Sequence, residues 1–255
     1  MIRYVVADAV ATITIDDPQR RNPLSNDAMA GLADAFDRAA GDESVAVVVL
    51  TGAGDRAFSA GGDLSGGFVD QPLADHASRQ ALARVFRSMW SNPKPIVGRI
   101  NGVALGGGFG LAVACDITIA CDDAKLGTPE IAVGLWPMMI SAVLVRSMPR
   151  KALLEMMLTG TILDAGRARD LGLVNRVVSR DRLDDAVAET VGTLLSRSPA
   201  ALALGKRTFY AMADLDVDSA LDLLHIGLTA TALTEDAAEG IAAFSERRDP
   251  TWKGR

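Results

Sequence analysis

The amino-acid sequence predicts an α/β fold, with a core of alternating strands and helices followed by an all-helical C-terminal region. Up to residue 178, apolar runs typical of buried strands alternate with segments in which apolar residues recur at helical spacing. From Asp181 onward every periodic segment has the helical spacing, and no low-complexity linker interrupts the chain. We therefore predict a core over residues 1–197 and a helical region over residues 198–255 that packs against it.

The first predicted elements are a β-hairpin, a helix and a buried strand. Residues 2–16 hold two short runs of alternating apolar and polar residues, which predict paired strands. Ser25 precedes a segment with helical spacing, so we expect it to be the N-cap of a helix over residues 26–40. The continuous apolar run from Val45 to Leu50 predicts a strand buried on both faces.

The cycle of strand and helix then repeats. A long loop or lid (about residues 53–70) and a helix (about 72–91) lead to a predicted strand at residues 95–100. A glycine-rich loop and a short helix through Leu111–Ala114 come next. The remaining predicted elements are a strand from Asp116 to Ala120, a turn and last strand over residues 171–178, and helices over about 181–196, 199–213, 216–231 and 235–247.

Composition and charge argue against several classes of partner. The 255 residues carry a net charge of −6 and only 5% are aromatic, which disfavours binding to nucleic acid or to an anionic membrane surface. No apolar run is long enough to span a membrane, and the first residues lack the pattern of a signal peptide. We therefore expect a cytoplasmic protein.

The sequence gives equally little support to metal or redox chemistry. Cys115 and Cys121 lie within apolar sequence, which predicts buried structural thiols. His76 and His225 are the only histidines, and no cluster of residues has the spacing of metal ligands. No metal site is expected.

Two glycine-rich loops carry the strongest functional signal. The first runs from Phe58 to Leu64 and the second from Asn101 to Gly110. Because glycine has no Cβ, such loops can bring backbone N–H groups close to a ligand. Two of them can supply the paired donors of an oxyanion hole, and the N-terminus of the helix after the second loop would add its partial positive charge.

These loops, their spacing and the segment Leu126-Gly127-Thr128-Pro129-Glu130 resemble the crotonase family, the enoyl-CoA hydratase/isomerase group. The resemblance extends nearly end to end, through Arg21-Asn22-Pro23-Leu24, Thr51-Gly52 and Phe244-Ser245-Glu246-Arg247-Arg248. It implies a crotonase-like spiral of ββα units and a C-terminal helical region that builds homotrimers, commonly paired into hexamers. It also implies a coenzyme A thioester as substrate, with no tightly bound cofactor.

The resemblance also implies roles for particular residues. The oxyanion donors would be the backbone N–H groups of Gly62 and Gly107, and the catalytic acid/base would be Glu130. In the family, tail residues can serve the ligand of a neighbouring subunit. The residues implied around coenzyme A are Arg21, Pro23, Leu24, Ala60, Asp63, Leu64, Lys206, Phe244 and Arg247.

Glu130 also has a structural interpretation. Thr128-Pro129-Glu130 fits an N-cap, a proline in the first helical position and an acid in the first turn, so Glu130 serves catalysis, helix stability or both. As a catalyst it needs a raised pKa. The apolar neighbours expected to desolvate it are Ile131, Val133, Leu135 and Trp136.

The chain departs from the hydratase pattern at two places. Family hydratases carry a first glutamate on the helix after the second loop, and this chain has Gly110 there. Two carboxylates can hold a water molecule between them, whereas one cannot hold it in the same way. Met138 and Met139 stand where hydratases usually have glycine, and we expect them to reshape an acyl pocket or to pack in the core.

The sequence thus predicts an acyl-CoA-processing enzyme of the hydratase/isomerase type, with a backbone oxyanion hole and one glutamate. Isomerisation of a 3-enoyl-CoA, decarboxylation, ring hydrolysis and non-catalytic acyl-CoA binding remain alternatives. A serine hydrolase with Ser59 as nucleophile is disfavoured, because Ser59 does not follow a predicted strand and His225 lies in a helical segment. That segment, Leu221 to Leu228, predicts either an oligomer interface or packing onto the chain's own core.

Overall fold

A computed structural model of the chain describes residues 1–63, 70, 76 and 78–255. Within these residues, ten strands form two sheets and ten α-helices surround them. The strands are β1 (Ile2–Ala7), β2 (Val10–Ile15), β3 (Val47–Gly52), β4 (Ala57–Ser59), β5 (Ile96–Ile100), β6 (Val103–Leu105), β7 (Ile117–Cys121), β8 (Lys125–Gly127), β9 (Ile162–Asp164) and β10 (Arg176–Val178).

The helices follow the same chain order, and short 3-10 turns stand between some of them. The 3-10 turn that matters for function is Pro129–Val133. The helices are α1 (Asn26–Gly41), α2 (Ala81–Ser91), α3 (Gly107–Ala114), α4 (Met138–Leu144), α5 (Arg150–Thr159), α6 (Ala165–Asp170), α7 (Leu183–Leu195), α8 (Pro199–Met212), α9 (Val217–Ala232) and α10 (Glu235–Glu246).

The two sheets are built together by a repeated unit of two strands and a helix. The large sheet has the order β1-β2-β3-β5-β7-β10, and the small sheet has the order β4-β6-β8-β9. Only the outer pairs β1–β2 and β8–β9 are antiparallel. In each unit one strand joins the large sheet, the next joins the small sheet and a helix follows: β3-β4-α2, then β5-β6-α3. This is the predicted spiral of ββα units.

The N-terminal elements agree with the sequence prediction. The hairpin pairs Ile2 with Ile15, and the Oγ of Ser25 accepts a hydrogen bond from the Ala28 N–H at 3.2 Å as the N-cap of α1. Every residue of β3 is buried, which confirms a strand covered on both faces. Its observed start lies two residues later than predicted.

The predicted long loop over residues 53–70 was wrong at β4. Its three residues are buried and pair with β6, but a strand of three residues is too short to give a periodic signal. Helix α2 begins at Ala81, later than the predicted start at about residue 72. Residues 64–69 of the predicted lid lie outside the described residues, as do residues 71–75 and 77 around the predicted start of the helix.

The C-terminal helices α7 to α10 begin and end within about two residues of their predicted positions. Helix α8 is fastened to the large sheet by one buried cluster. The Nζ of Lys206 donates to the carboxylate of Asp116 at 2.6 Å, and the Tyr210 hydroxyl donates to the same carboxylate at 2.8 Å. This part of the helical region therefore packs against the core, while the boundary between residues 197 and 198 stays a prediction.

The outer face of α9 does not pack onto the chain's own core. Leu221, Ile226 and Leu228 are exposed, with 70% of Leu228 accessible to solvent. Cys115 and Cys121 are both buried and free, as predicted, and burial raises the pKa of each thiol. No helix in the described part of the chain is long and apolar enough to cross a membrane.

Candidate active site

The first glycine loop is held in place by the segment before α1. The Leu24 N–H donates to the carbonyl oxygen of Gly61 at 2.8 Å, and the Asp63 N–H donates to the carbonyl oxygen of Leu24 at 3.2 Å. The Ala60 N–H donates to the carbonyl oxygen of Arg21 at 2.9 Å. Residues 21–24 and 60–63, which the resemblance implied around coenzyme A, are thus brought together.

The two glycine loops touch, and only glycine permits the contact. Gly61 has a φ of +95°, and a Cβ on it would lie 2.7 Å from the carbonyl oxygen of Leu105. A Cβ on Gly108 would lie 2.5 Å from the carbonyl oxygen of Ser59. Side chains at either position would push the loops apart.

The predicted oxyanion donors lie next to each other across this contact. A Cβ on Gly107 would lie 4.0 Å from the nitrogen of Gly62. Gly107 is the first residue of α3, where N–H groups have no acceptor inside the helix. Among the described residues, neither of the two N–H groups has a hydrogen-bond acceptor. The two residues therefore lie close together, and the described part of the chain uses neither of their N–H groups.

Ser59 supports the first loop from beneath. It is the last residue of β4, so the expectation that it does not follow a strand was wrong. Its side chain is fully buried, and its Oγ accepts a hydrogen bond from the Gly61 N–H at 3.2 Å. A hydroxyl without solvent access cannot attack a substrate. The burial of Ser59 is therefore a stronger argument against a serine hydrolase than the sequence argument was.

Glu130 lies against the second loop. It stands on the 3-10 turn Pro129–Val133, and a Cβ on Gly106 would lie 2.9 Å from its Oε1. Its Oε2 is buried and has no hydrogen-bond partner in the part of the chain that the structure describes. Burial raises the pKa of this carboxyl above its ordinary value, as a proton-transferring group requires.

The surroundings of Glu130 differ from the expectation in two respects. Ile131 and Val133 are exposed, so they do not desolvate the carboxyl, whereas Leu135 and Trp136 are half-buried. Thr128 makes no capping hydrogen bond, and its Oγ1 is buried without a partner among the described residues. Thr128 does stand at the N-cap position, with Pro129 after it and Glu130 in the first turn as predicted, but the segment is a short 3-10 turn that the Thr128 side chain does not cap.

Gly110, where hydratases of the family carry their first glutamate, lies in a closed apolar site. It is buried in α3, and a Cβ on it would lie 2.4 Å from the Cγ2 of Ile140. The ring of Phe86 closes the same space, with its Cζ 3.1 Å from that Cβ position. No side chain fits at position 110 unless Ile140 moves.

Ile140 is the residue that sequence reasoning missed. Met138 and Met139 are exposed, at 71% and 40%, so their predicted alternative of core packing was wrong. Ile140 is 2% exposed and packs on Gly110. The signal lay in the same departure from the hydratase pattern, one residue beyond the two methionines.

Arg21 lines a cleft beside the start of the second loop, at Gly102 and Val103. The cleft has a volume of about 440 Å³, and its lining includes Arg56 and Arg180. The Arg180 guanidinium is engaged by the carboxylate of Asp123 at 2.8 Å, while Asp63 is engaged by Arg20. Arginine side chains at a cleft are suited to bind phosphate. Leu64 lies outside the described residues.

Three residues implied around coenzyme A are not brought to the loops. Lys206 is 9% exposed on its side chain and is bound to Asp116, so its ammonium group serves the fold rather than a ligand. Phe244 is 86% exposed at the end of α10, and Arg247 is the exposed C-cap of that helix. In the single chain both side chains face solvent. In the described part of the chain, no group of three side chains has the arrangement of a metal site.

Comparisons with known proteins agree on one family. The family model described as "Enoyl-CoA hydratase/isomerase" matches residues 6–255. An enoyl-CoA hydratase structure from Mycobacterium smegmatis superposes with a TM-score of 0.95 at 34% identity, covering 98% of each chain. Human enoyl-CoA hydratase domain-containing protein 3 gives 0.94 at 30% identity, covering 98% of this chain and 99% of its own. The mitochondrial domain-containing protein 3 of Rattus norvegicus is 32% identical over 96% of this chain and 82% of its own. The predicted crotonase-like fold is confirmed.

Proposed function

The chain belongs to the enoyl-CoA hydratase/isomerase family, the crotonases, and from that premise we propose that it isomerises 3-enoyl-CoA thioesters to 2-enoyl-CoA. The observation that carries the proposal is a contrast between two positions. Glu130 keeps a buried, unpartnered carboxylate oxygen beside the second glycine loop, within the described structure. The position of a second acid, Gly110, is filled by Ile140.

The thioester oxygen binds between the two glycine loops in this mechanism. It accepts hydrogen bonds from the N–H groups of Gly62 and Gly107, and the N-terminus of α3 adds its partial positive charge. Negative charge develops on this oxygen when a proton leaves the neighbouring carbon. Donors that are in place before the reaction stabilise that charge without reorganisation, and each contributes about 3 kcal/mol.

Glu130 moves the proton. Its carboxylate removes a proton from C2 of the 3-enoyl thioester, and the resulting electron pair is delocalised onto the thioester oxygen through C1 and onto C4 through the C3–C4 double bond. The same carboxyl group then returns a proton to C4, and the double bond moves to C2–C3. A raised pKa makes the carboxylate a better base at neutral pH, and no water molecule takes part.

Hydration is less well supported by the same geometry. A hydratase must hold a water molecule for addition to C3, and a second carboxylate would help to hold it. The side chains of Ile140 and Phe86, which cover position 110, are apolar and offer that water no hydrogen bond. Gly110 equally favours a second candidate function, acyl-CoA binding without turnover.

Two thioesters separate these candidates. The purified protein is incubated with 3-hexenoyl-CoA and with crotonyl-CoA, and the absorbance of the conjugated thioester is followed, with Glu130→Gln as control. We expect a gain of absorbance from 3-hexenoyl-CoA that the substitution abolishes, and little loss from crotonyl-CoA. Rapid loss from crotonyl-CoA would make the protein a hydratase, and binding without change of either would make it a scaffold.

The proposal extends to the coenzyme and to the assembly. Arg21, at the cleft beside the start of the second loop, would bind a phosphate of coenzyme A. The apolar faces that α9 and α10 expose, with Leu228 and Phe244, suit an interface between copies in a trimer or hexamer. Such an interface would bring Phe244 and Arg247 to the ligand of a neighbouring copy. Light scattering tests the assembly, and a monomeric mass would contradict it.

A further inference from the structure

We propose that Ile140, backed by Phe86, determines the reaction type of this chain by filling the space in which a second acid would stand. The inference rests on the proposed function, since it names the residue that keeps proton transfer with Glu130 alone. It assigns a role to a side chain that the sequence pattern did not single out.

The packing of Ile140 on residue 110 matters for function because of where residue 110 lies in α3. Gly107 and Gly110 are three residues apart in α3, so they share one face of the helix. Gly107 carries a proposed donor of the oxyanion hole. A longer side chain at position 110 would therefore start about one helical turn from the proposed donor. Ile140 blocks even the first atom of such a side chain, because its Cγ2 lies 2.4 Å from the position that a Cβ on residue 110 would take.

Ile140 cannot easily move out of the space that a side chain at position 110 would need. It is a β-branched residue in the first turn of α4, where its χ1 has few alternatives. It is 2% exposed, so a changed rotamer would meet other buried atoms. Its own Cβ lies 2.9 Å from the same point, so alanine at position 140 would still be too close. Only glycine at position 140 removes both atoms.

The consequence for chemistry is an apolar wall in place of a second carboxylate. Ile140 and Phe86 present carbon atoms at this point. A water molecule there would leave hydrogen bonds unmade, and apolar spaces in proteins tend to stay dry. The centre then has one titratable side chain and no partner acid to orient water.

Four variants test the coupling: Gly110→Glu, Ile140→Gly, the two combined, and Gly192→Glu as control. Gly192 lies exposed within α7, and a Cβ on it would meet no described atom within 4 Å. We expect Gly110→Glu alone to lower the melting temperature by about 5 °C or more through overpacking. The loss in the double variant should be smaller than the sum of the losses in Gly110→Glu and Ile140→Gly, and the control should change little.

The decisive readout is the ratio of hydration to isomerisation, measured with crotonyl-CoA and 3-hexenoyl-CoA. A residue with only a structural role would not move this ratio. We expect the double variant to raise it at least about tenfold over the wild type, since a positioned acid/base group contributes 10²–10⁴-fold. Ile140→Gly alone should leave hydration slow, because it adds space but no carboxylate.

Two results would overturn the inference. One is a double variant whose loss of stability equals the sum of the losses in the two single variants, since the two positions would then not share space. The other is a folded double variant whose ratio equals that of the wild type. A wild-type protein inactive on 3-hexenoyl-CoA would defeat the proposed function instead, while the melting temperatures would still report on the coupling between residues 110 and 140.

Discussion

Positions 110 and 130 border the same pair of glycine loops, yet they differ in every physical respect. Glu130 stands on a short 3-10 turn, with its carboxylate against Gly106 and one oxygen lacking a partner among the described residues. Gly110 lies within a regular helix, and carbon atoms of Ile140 and Phe86 cover it. One position holds an acid at a cost in stability, and the other has been closed by packing.

The difference teaches where an active site tolerates strain. Burial of a carboxylate without a full set of hydrogen bonds destabilises the folded protein, and such groups persist where they are used. At position 110 that cost is absent, because the space contributes apolar contacts between α3 and α4 instead. The comparison predicts that Glu130 is needed for turnover and dispensable for folding.

The largest expected effect is on turnover in Glu130→Gln. We expect isomerisation of 3-hexenoyl-CoA to fall about 10²–10⁴-fold, because an amide cannot accept the proton, while binding of the thioester is retained. Steady-state kinetics and calorimetric titration measure the two quantities. Glu155→Gln, the same change at an exposed residue of α5, should leave both unaltered. Equal rates in the two variants would place the proton transfer elsewhere.

The next effect concerns the proposed oxyanion hole between the two glycine loops. Gly62→Pro removes one N–H donor and should lower kcat about 10²–10³-fold. Gly62→Ala is the matched control, because its Cβ would meet no described atom within 4 Å and it keeps the N–H. The alanine variant should therefore stay active. If both variants lose activity equally, the shape of the loop matters and not its donor.

The acid limb of the pH–rate profile sharpens the account of Glu130. The base must be deprotonated, and burial raises its pKa above the ordinary 4.5. Activity should therefore fall as pH is lowered through a midpoint above 4.5, by about tenfold for each further pH unit. Gly62→Ala should show the same midpoint. A midpoint at or below the ordinary value would mean that Glu130 is solvated when it reacts.

The smallest expected effect is on stability. A carboxyl whose pKa is raised on folding favours the folded state below its unfolded pKa, and this advantage is lost as pH rises through the folded pKa. Glu130→Gln avoids that loss, so we expect its free energy of unfolding at pH 7 to be about 1 kcal/mol higher than that of the wild type. Urea unfolding at pH 7 and near pH 4 measures the gap, which should close at the lower pH. An unchanged gap would point to a packing effect.

Most of the fold could be predicted from the sequence, because long helices and strands show a clear periodicity of apolar residues. Helices α1 and α7 to α10 and the strands of the large sheet through β7 were predicted close to their observed bounds. Helices α4 to α6 were not predicted, and the strands β4, β6, β8 and β9 were missed, since three residues carry no periodic signal. Their place depends on pairing with one another, and that pairing is set by the tertiary fold.

The candidate site could be predicted only where the backbone conformation requires a particular residue type. The two glycine loops require glycine for close approach, and the structure brings them together as expected. The role of Ile140 was hidden, because an isoleucine near a helix start looks like any core residue. Likewise Lys206 looked like a phosphate ligand, and only its contact with Asp116 reveals a structural ion pair. Long-range contacts of this kind leave no local pattern.

The central claim is that one carboxyl group both removes and returns the proton, and isotope transfer tests it most directly. The wild-type protein would convert 3-hexenoyl-CoA carrying deuterium at C2 in a single turnover, and the label at C4 of the product would be measured. Because the Oε2 of Glu130 is buried, the account predicts that part of the deuterium is carried to C4 before it is lost to solvent. A product with no label at C4, formed alongside the 3-hydroxy thioester, would contradict it.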